Sequence, residues 1–502
     1  MHTEQNTRLL YEEYEAKMRK IADLRYAGAV LEWDQETYLP PRGAEIRAGQ
    51  LATLASEAHE LFTAESMGTL LERLNAATEL TPAQQANVMR TREDYRSQCK
   101  YPPAFVRELS LATSASYHGW MKARKENDFR LFEPELARMV TLKQQQAALL
   151  GYQDHPYDAL ADDFEKGMTV KQLDEIFLEV RRELKAVLEK IRMAPAPDDS
   201  MLRGHFDRDA QWDFGVMLLQ AMGFDFRSGR QDISEHPFTT SFNARDVRLT
   251  TRIDETDFGN MTWSCIHEGG HGLYEQGLSF EAYGLPLGEA ASLAIHESQS
   301  RLWENNVGRS MAFWTRYYPD LQKRFPALDQ TGLPVFYRAI NKVSPSLIRT
   351  EADEVTYHFH VMIRYELEKK LLTGELRTAD VKAAWNELYH TYLGVEVPDD
   401  KSGVLQDVHW SHGSFGYFPT YSLGSFYAAQ FYAAAERALP GLAEKISSGD
   451  LGGLLGWLRE NIHCHGRRYY PGELCERVTG EKLRFRYFLD YVRKKYGAIY
   501  GF

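Results

Sequence analysis

The sequence predicts a mainly α-helical protein, one large helical body over residues 1–502 with a small β-sheet, and three observations lead there. Apolar residues recur three and four positions apart through most of the chain, which is the spacing of one helix face. One segment, residues 247–253, instead alternates β-branched residues with Arg248 and Arg252, as a strand does. The Pro-rich break at 194–197 is short and not of low complexity, so it reads as a loop inside one body rather than a domain boundary. It separates a helical N-terminal portion of about 1–195 from a portion of about 200–502.

The helix over 169–191 is the clearest element. Leu173, Ile176, Phe177, Val180, Leu184, Val187, Leu188 and Ile191 form one stripe, and Thr169 with Gln172 makes a capping box at its start. Pro195 and Pro197 end it, because proline lacks the amide donor and pushes its predecessor out of helical geometry. The strand at 247–253 cannot be stable alone, so further segments must complete a small sheet.

With 502 residues, 43% of them hydrophobic, the chain can build an ample core without staples. Cys99, Cys265, Cys464 and Cys475 are sparse and lack paired spacing, which predicts free thiols and a reducing compartment. The N-terminus mixes acids among its apolar residues and so fails as a signal peptide. No run of about 18 apolar residues offers a membrane helix, and a cytoplasmic location is the expectation. A net charge of −12 argues against nucleic acid as a partner. The short basic spots Arg467-Arg468 and Lys494-Lys495 read as solvated faces.

Chemistry concentrates at His267-Glu268-x-x-His271. Residues four apart share a helix face, so both imidazoles can reach one cation while Glu268 projects beside it. That pattern fits hydrolysis by a metal-bound water, with Glu268 as general base. Gly269 and Gly270 cost a helix interior about 1 kcal/mol each, yet they allow another backbone to approach closely. A catalytic zinc needs a third protein ligand. A histidine continuation would fall at position 277, which is glycine, so a carboxylate from a following helix is required. The helix expected over 287–306 offers Glu289, Glu297 and Glu304. Glu297 is the choice: the chain can turn at Gly277 and Gly284 before returning, and Ala290 and Ala294 leave room for two helices to share an ion. His296 faces elsewhere and suits a supporting or core role, and His358 and His360 point to different helix faces. His463-Cys464-His465 with Cys475 lacks metal-ligand spacing.

At these residues the chain resembles the carboxypeptidase Taq family of metallocarboxypeptidases. Four further motifs stand in order: Asp246-Val247-Arg248-Leu249-Thr250, His296-Glu297-Ser298-Gln299, Ile348-Arg349-Thr350-Glu351-Ala352-Asp353, and Gly403-Val404-Leu405-Gln406-Asp407-Val408-His409-Trp410. Similarity also appears at Trp33-Asp34-Gln35-Glu36-Thr37 with Pro40 and Pro41, and at Gly416-Tyr417-Phe418-Pro419-Thr420-Tyr421, so it spans nearly the whole chain.

The resemblance implies a helical body with a deep active-site groove covered by its N-terminal portion, a small sheet beside the motif helix in a gluzincin-like arrangement, and a homodimer. It implies stepwise release of C-terminal amino acids from peptides with broad preference, using one divalent ion per chain, zinc or cobalt. Glu297 is the third ligand by the family motif, in agreement with the choice from spacing. Arg349 would bind the substrate's terminal carboxylate, a task suited to the guanidinium fork, with Arg248 a second candidate. His409 and Tyr421 are the family-supported donors to the oxyanion, and Tyr417 stays open beside Tyr421. The strand near Arg248 could pair with an extended substrate backbone. The competing readings are an aminopeptidase or endopeptidase, although the G-x-M-E-N segment of the related aminopeptidases is absent, and a non-catalytic peptide-binding scaffold.

Overall fold

The protein is described by a computed structural model covering residues 2–502, with side chains from residue 5 onward. Its contacts sort into two compact units, one of Met1–Cys99, Asp198–Ile340 and Phe431–Lys482, the other of Lys100–Pro197, Asn341–Gln430 and Leu483–Phe502. The Pro-rich break, expected as a loop within one body, ends where the chain passes from one unit to the other. The grouping follows contacts rather than chain order, so segments far apart in sequence share a unit.

In the first unit the long helix His2–Thr37 pairs with Ala44–Thr63, and Tyr11, Tyr14, Ile21, Phe62, Leu70, Leu71 and Leu74 close a core between helices. Its sheet has three strands, β1 (Gly229–Ile233), β2 (Thr239–Asn243) and β3 (Asp246–Thr251), in the order β1-β3-β2. β3 runs parallel to β1 and antiparallel to β2, with Arg230 beside Arg248 and Thr239 beside Leu249. The predicted strand begins one residue early, at Asp246, and stops at Thr251, where β1 ends opposite it at Ile233 and no ladder partner remains. The sheet packs on the helix Phe258–Glu275: a Cβ at Gly272 would lie 2.8 Å from Leu249 Cδ2. Arg467 departs from its expected solvated role, because Asp94 and Glu289 each accept from its guanidinium at 2.8 Å.

In the second unit the helix Val170–Met193 carries the predicted capping box between Thr169 and Gln172. Its stripe is buried as expected, except Ile176, which is half-buried. The helix Tyr357–Thr373 is buried on nearly all sides, as a central helix is. His358 and His360 separate as predicted, the first reaching Ser422 Oγ and the second Tyr389 Oη, each at 2.9 Å. All four cysteines are free. Among the described residues no helix is long and apolar enough to cross a membrane.

Candidate metal centre

The motif helix, Phe258–Glu275, starts at Asp257, whose Oδ1 accepts from the Gly259 amide at 2.8 Å, and runs unbroken through both glycines. The reason for glycine is steric. A Cβ at Gly270 would stand 2.6 Å from Ser300 Cα and 2.7 Å from the Gln299 carbonyl oxygen, so only glycine lets that backbone in. At Gly269 it would meet Leu219 Cδ2 at 2.5 Å.

The approaching backbone is the helix Leu293–Arg301, which continues as a π-helical segment, Leu302–Gly308. The helix expected over 287–306 therefore begins later. Ser292 caps it, its Oγ accepting from the Ile295 amide at 3.1 Å, which leaves Glu289 and Ala290 in the preceding loop. Ala294 remains on the helix and is fully buried.

Glu297 Oε2 lies 3.6 Å from His267 Nε2 and 3.4 Å from His271 Nε2. One atom from each of the three residues falls within 4.8 Å of the others, a spacing that one cation can bridge. Among the described residues no other group of His, Cys, Asp and Glu converges in this way, and the His463–His465 run does not. The donor set, two imidazoles and one carboxylate, fits a divalent metal ion and would leave room for a water beside it.

Further side chains hold these groups in place. His267 Nδ1 meets Glu304 Oε2 at 2.9 Å, which turns Nε2 toward Glu297. Arg301 donates from Nε to Glu297 Oε1 at 2.7 Å and from Nη1 to Glu304 Oε2 at 3.1 Å, and Arg309 also reaches Glu304. Ser300 Oγ donates to Glu297 Oε2 at 3.0 Å. Glu304, offered by the sequence beside Glu289 and Glu297 as a candidate third ligand, is instead a buried partner of His267, and Arg301 was not among the sequence candidates. Their spacing was the available signal: Glu297, Arg301 and Glu304 sit at i, i+4 and i+7 on one face. His296 takes the supporting role predicted for it, stacked on His271 with centroids 4.4 Å apart and bound to Glu275 Oε1 at 2.7 Å.

Electrostatics follow from these contacts. Burial disfavours a charged Glu297, but Arg301 and both imidazoles outweigh it and hold the carboxyl well below its usual range. Burial, with His296 adding to it, pushes His271 down to about 3, so its ring is neutral and able to bind a cation. Burial raises Glu268, the change that makes a carboxylate a better base. Thr239 Oγ1 on β2 donates to Glu268 Oε2 at 2.5 Å, which fixes that carboxylate against the sheet.

Arg248 on β3 bonds both oxygens of Asp246 at 3.0 and 3.1 Å, and its guanidinium lies 4.3 Å over Trp33 and 4.8 Å over Phe242. The remaining candidates lie in the second unit. Arg349 is buried, bound to Asp407 Oδ1 through Nε and Nη2, and donates from Nη1 to Tyr357 Oη at 3.1 Å. Arg364 grips Asp407 Oδ2 at 2.7 Å. The two guanidinium groups hold Asp407 ionised, well below its usual range, so the trio keeps one uncompensated positive charge. His409 Nε2 lies 3.0 Å from Tyr421 Oη, and its ring lies tilted against Phe418 with centroids 4.4 Å apart. Burial pushes His409 down to about 3, which leaves it neutral near pH 7. Tyr417 stands 5.3 Å from the His409 ring and 5.2 Å from Tyr421, so both tyrosines belong to this cluster.

Residues 13–496 match the family model described as Carboxypeptidase Taq (M32) metallopeptidase. The chain is 43% identical to Thermostable carboxypeptidase 1 of Thermus thermophilus, covering 96% of this chain and 97% of that protein. It is 38% identical to Carboxypeptidase 1 of Bacillus subtilis over the same shares. The crystal structure of a carboxypeptidase of this family from Deinococcus radiodurans superposes with a TM-score of 0.96 at 42% identity, over 98% of this chain and 100% of that one. The chain belongs to the carboxypeptidase Taq family and is a metallocarboxypeptidase, a hydrolase that works with a divalent metal ion.

Proposed function

We propose that this metallocarboxypeptidase removes amino acids one at a time from free peptide C-termini with broad preference, at an ion held by His267, His271 and Glu297. The convergence of those three side chains within 4.8 Å, with His267 backed by Glu304 and Glu297 by Arg301, is the observation that carries the reading. Zinc suits the donor set best, with cobalt second; when bound, it would bring the pKa of a water to roughly 7 and polarise the scissile carbonyl.

Glu268 is the general base. Thr239 occupies its Oε2, which leaves Oε1 to take the proton of the attacking water and to return it to the leaving amine. Arg349 binds the terminal carboxylate, drawing on the surplus positive charge it shares with Arg364 and Asp407, and Arg248 is the second candidate. Neutral His409 and the Tyr421 hydroxyl supply hydrogen bonds to the oxyanion, with Tyr417 the alternative to Tyr421. The reading takes the whole chain as one catalytic domain with a deep groove, acting as a homodimer in the cytoplasm.

Paired peptides test the direction of attack. Blocking the N-terminus with acetyl should leave hydrolysis intact, and converting the C-terminus to an amide should sharply reduce it. An amide cleaved as readily as the acid, with acetylation abolishing activity, would make the enzyme an aminopeptidase.

A further inference from the structure

Glu368 is fully buried in the helix Tyr357–Thr373 and has no part in the chemistry above. Its Oε1 accepts from Trp410 Nε1 at 2.9 Å, and its Oε2 accepts from Tyr157 Oη at 2.9 Å and from the Gly416 amide at 3.1 Å. Trp410 and Gly416 are the two ends of one loop. Immediately before the loop stands His409, and immediately after it come Tyr417 and the helix Pro419–Ala438 that carries Tyr421.

The contacts around the loop ends leave little play. Gly416 has φ 96°, and a Cβ there would stand 2.8 Å from the Ala161 amide nitrogen, so its backbone is pressed against the helix Pro156–Ala161 that carries Tyr157. The Trp410 ring stacks near Phe415 and meets Trp385 edge-on at 5.9 Å. A buried carboxylate is unfavourable unless its charge is satisfied, and here three donors converge on it. Burial still pushes Glu368 up to about 7. An amide of the same shape cannot replace it, since one of its two polar ends would face a donor with a donor.

We propose that Glu368 is a positioning residue for the reaction: its carboxyl group pins both ends of the Trp410–Gly416 loop, and thereby sets the spacing of His409 and Tyr421. Glu368 acts through its three donors and never meets the peptide. The inference rests on the reading of His409 and Tyr421 as oxyanion donors.

The test uses the zinc-loaded full chain and an N-acylated peptide with a free C-terminus, comparing kcat and KM for Glu368→Gln, Trp410→Phe, their double variant and His409→Ala. Glu368→Gln should lower kcat by about ten- to a hundredfold with KM nearly unchanged and zinc content intact. Trp410→Phe should cost less, and the double variant should be little worse than Glu368→Gln, because both act on one linkage. Wild-type kcat in Glu368→Gln, loss of zinc along with kcat, or effects that multiply in the double variant would each overturn the proposal. Should Glu368→Gln not fold, Trp410→Phe and Tyr157→Phe carry the test: lowered kcat supports the proposal and unchanged kcat in both overturns it. An impaired His409→Ala beside an unimpaired Glu368→Gln ends this inference alone, whereas a fully active His409→Ala ends the oxyanion reading as well.

Discussion

Gly270 and Ser300 are in backbone-to-backbone contact: a Cβ at 270 would lie 2.6 Å from Ser300 Cα. This approach brings Glu297, three residues before Ser300, to the two imidazoles. Gly270→Ala should therefore separate the helices, weaken zinc binding and destabilise the fold by about 1–3 kcal/mol. Gly269→Ala should cost less, because its contacts are the side chains of Leu219 and Met222, which can move. Zinc titration and thermal unfolding of both variants check this ordering; equal effects would contradict it.

Glu304 touches no ion in this account and acts through His267 Nδ1. Glu304→Gln keeps the size but removes the charge that orients and polarises the ring. Zinc affinity should fall about 10–100-fold, read by competition with a chelator. Unchanged affinity would show that packing alone orients His267.

Arg349→Lys keeps a positive charge and loses the fork. For peptides with a free C-terminus, kcat/KM should fall about a hundredfold, mostly through KM, while the poor hydrolysis of C-terminal amides stays as it was. An unaltered ratio between acid and amide would move carboxylate recognition elsewhere, with Arg248 next in line.

Glu368 gives stability a pH dependence. Burial raises its folded pKa from 4.5 to about 7, so its contribution is fully present below about pH 4.5 and is lost as pH rises through 7. The shift amounts to about 3 kcal/mol. Lys143 faces the same carboxylate and is itself pushed down by burial to about 8, with Asp163 acting on it, so measurements belong below pH 7.5. The Tm of the native chain, relative to Glu368→Gln, should be most favourable at pH 4.5 and decline toward pH 7.5. A constant difference would mean that Glu368 does not titrate in this range.

The proposed metal ligands were legible because their geometry is local. His267 and His271 share a face through helical periodicity alone, and Glu297 needed only a second helix with a small residue, Ala294, beside it. The capping box at Thr169 and the strand around Val247 were legible for the same reason. Glu304 stood at helical spacing from Glu297 and Arg301, but its burial was not legible, since a buried carboxylate is tolerable only with partners, and His267 and Arg309 join it only through folding and a π-helical segment. β1 and β2 hid because Gly-Arg-Gln-Asp-Ile and Thr-Thr-Ser-Phe-Asn lack apolar alternation, and pairing with β3 defines them. Ala290 fell outside its expected helix because Ser292 Oγ accepts from the Ile295 amide and sets the start there.

Glu268→Gln isolates the proton transfer, since it changes the proposed base and none of the three proposed ligands. Measured together on the zinc-loaded variant, metal content should match the native chain while turnover falls by about two to four orders of magnitude. Turnover at the native level with zinc bound would contradict the assignment of Glu268 as the group that moves the proton.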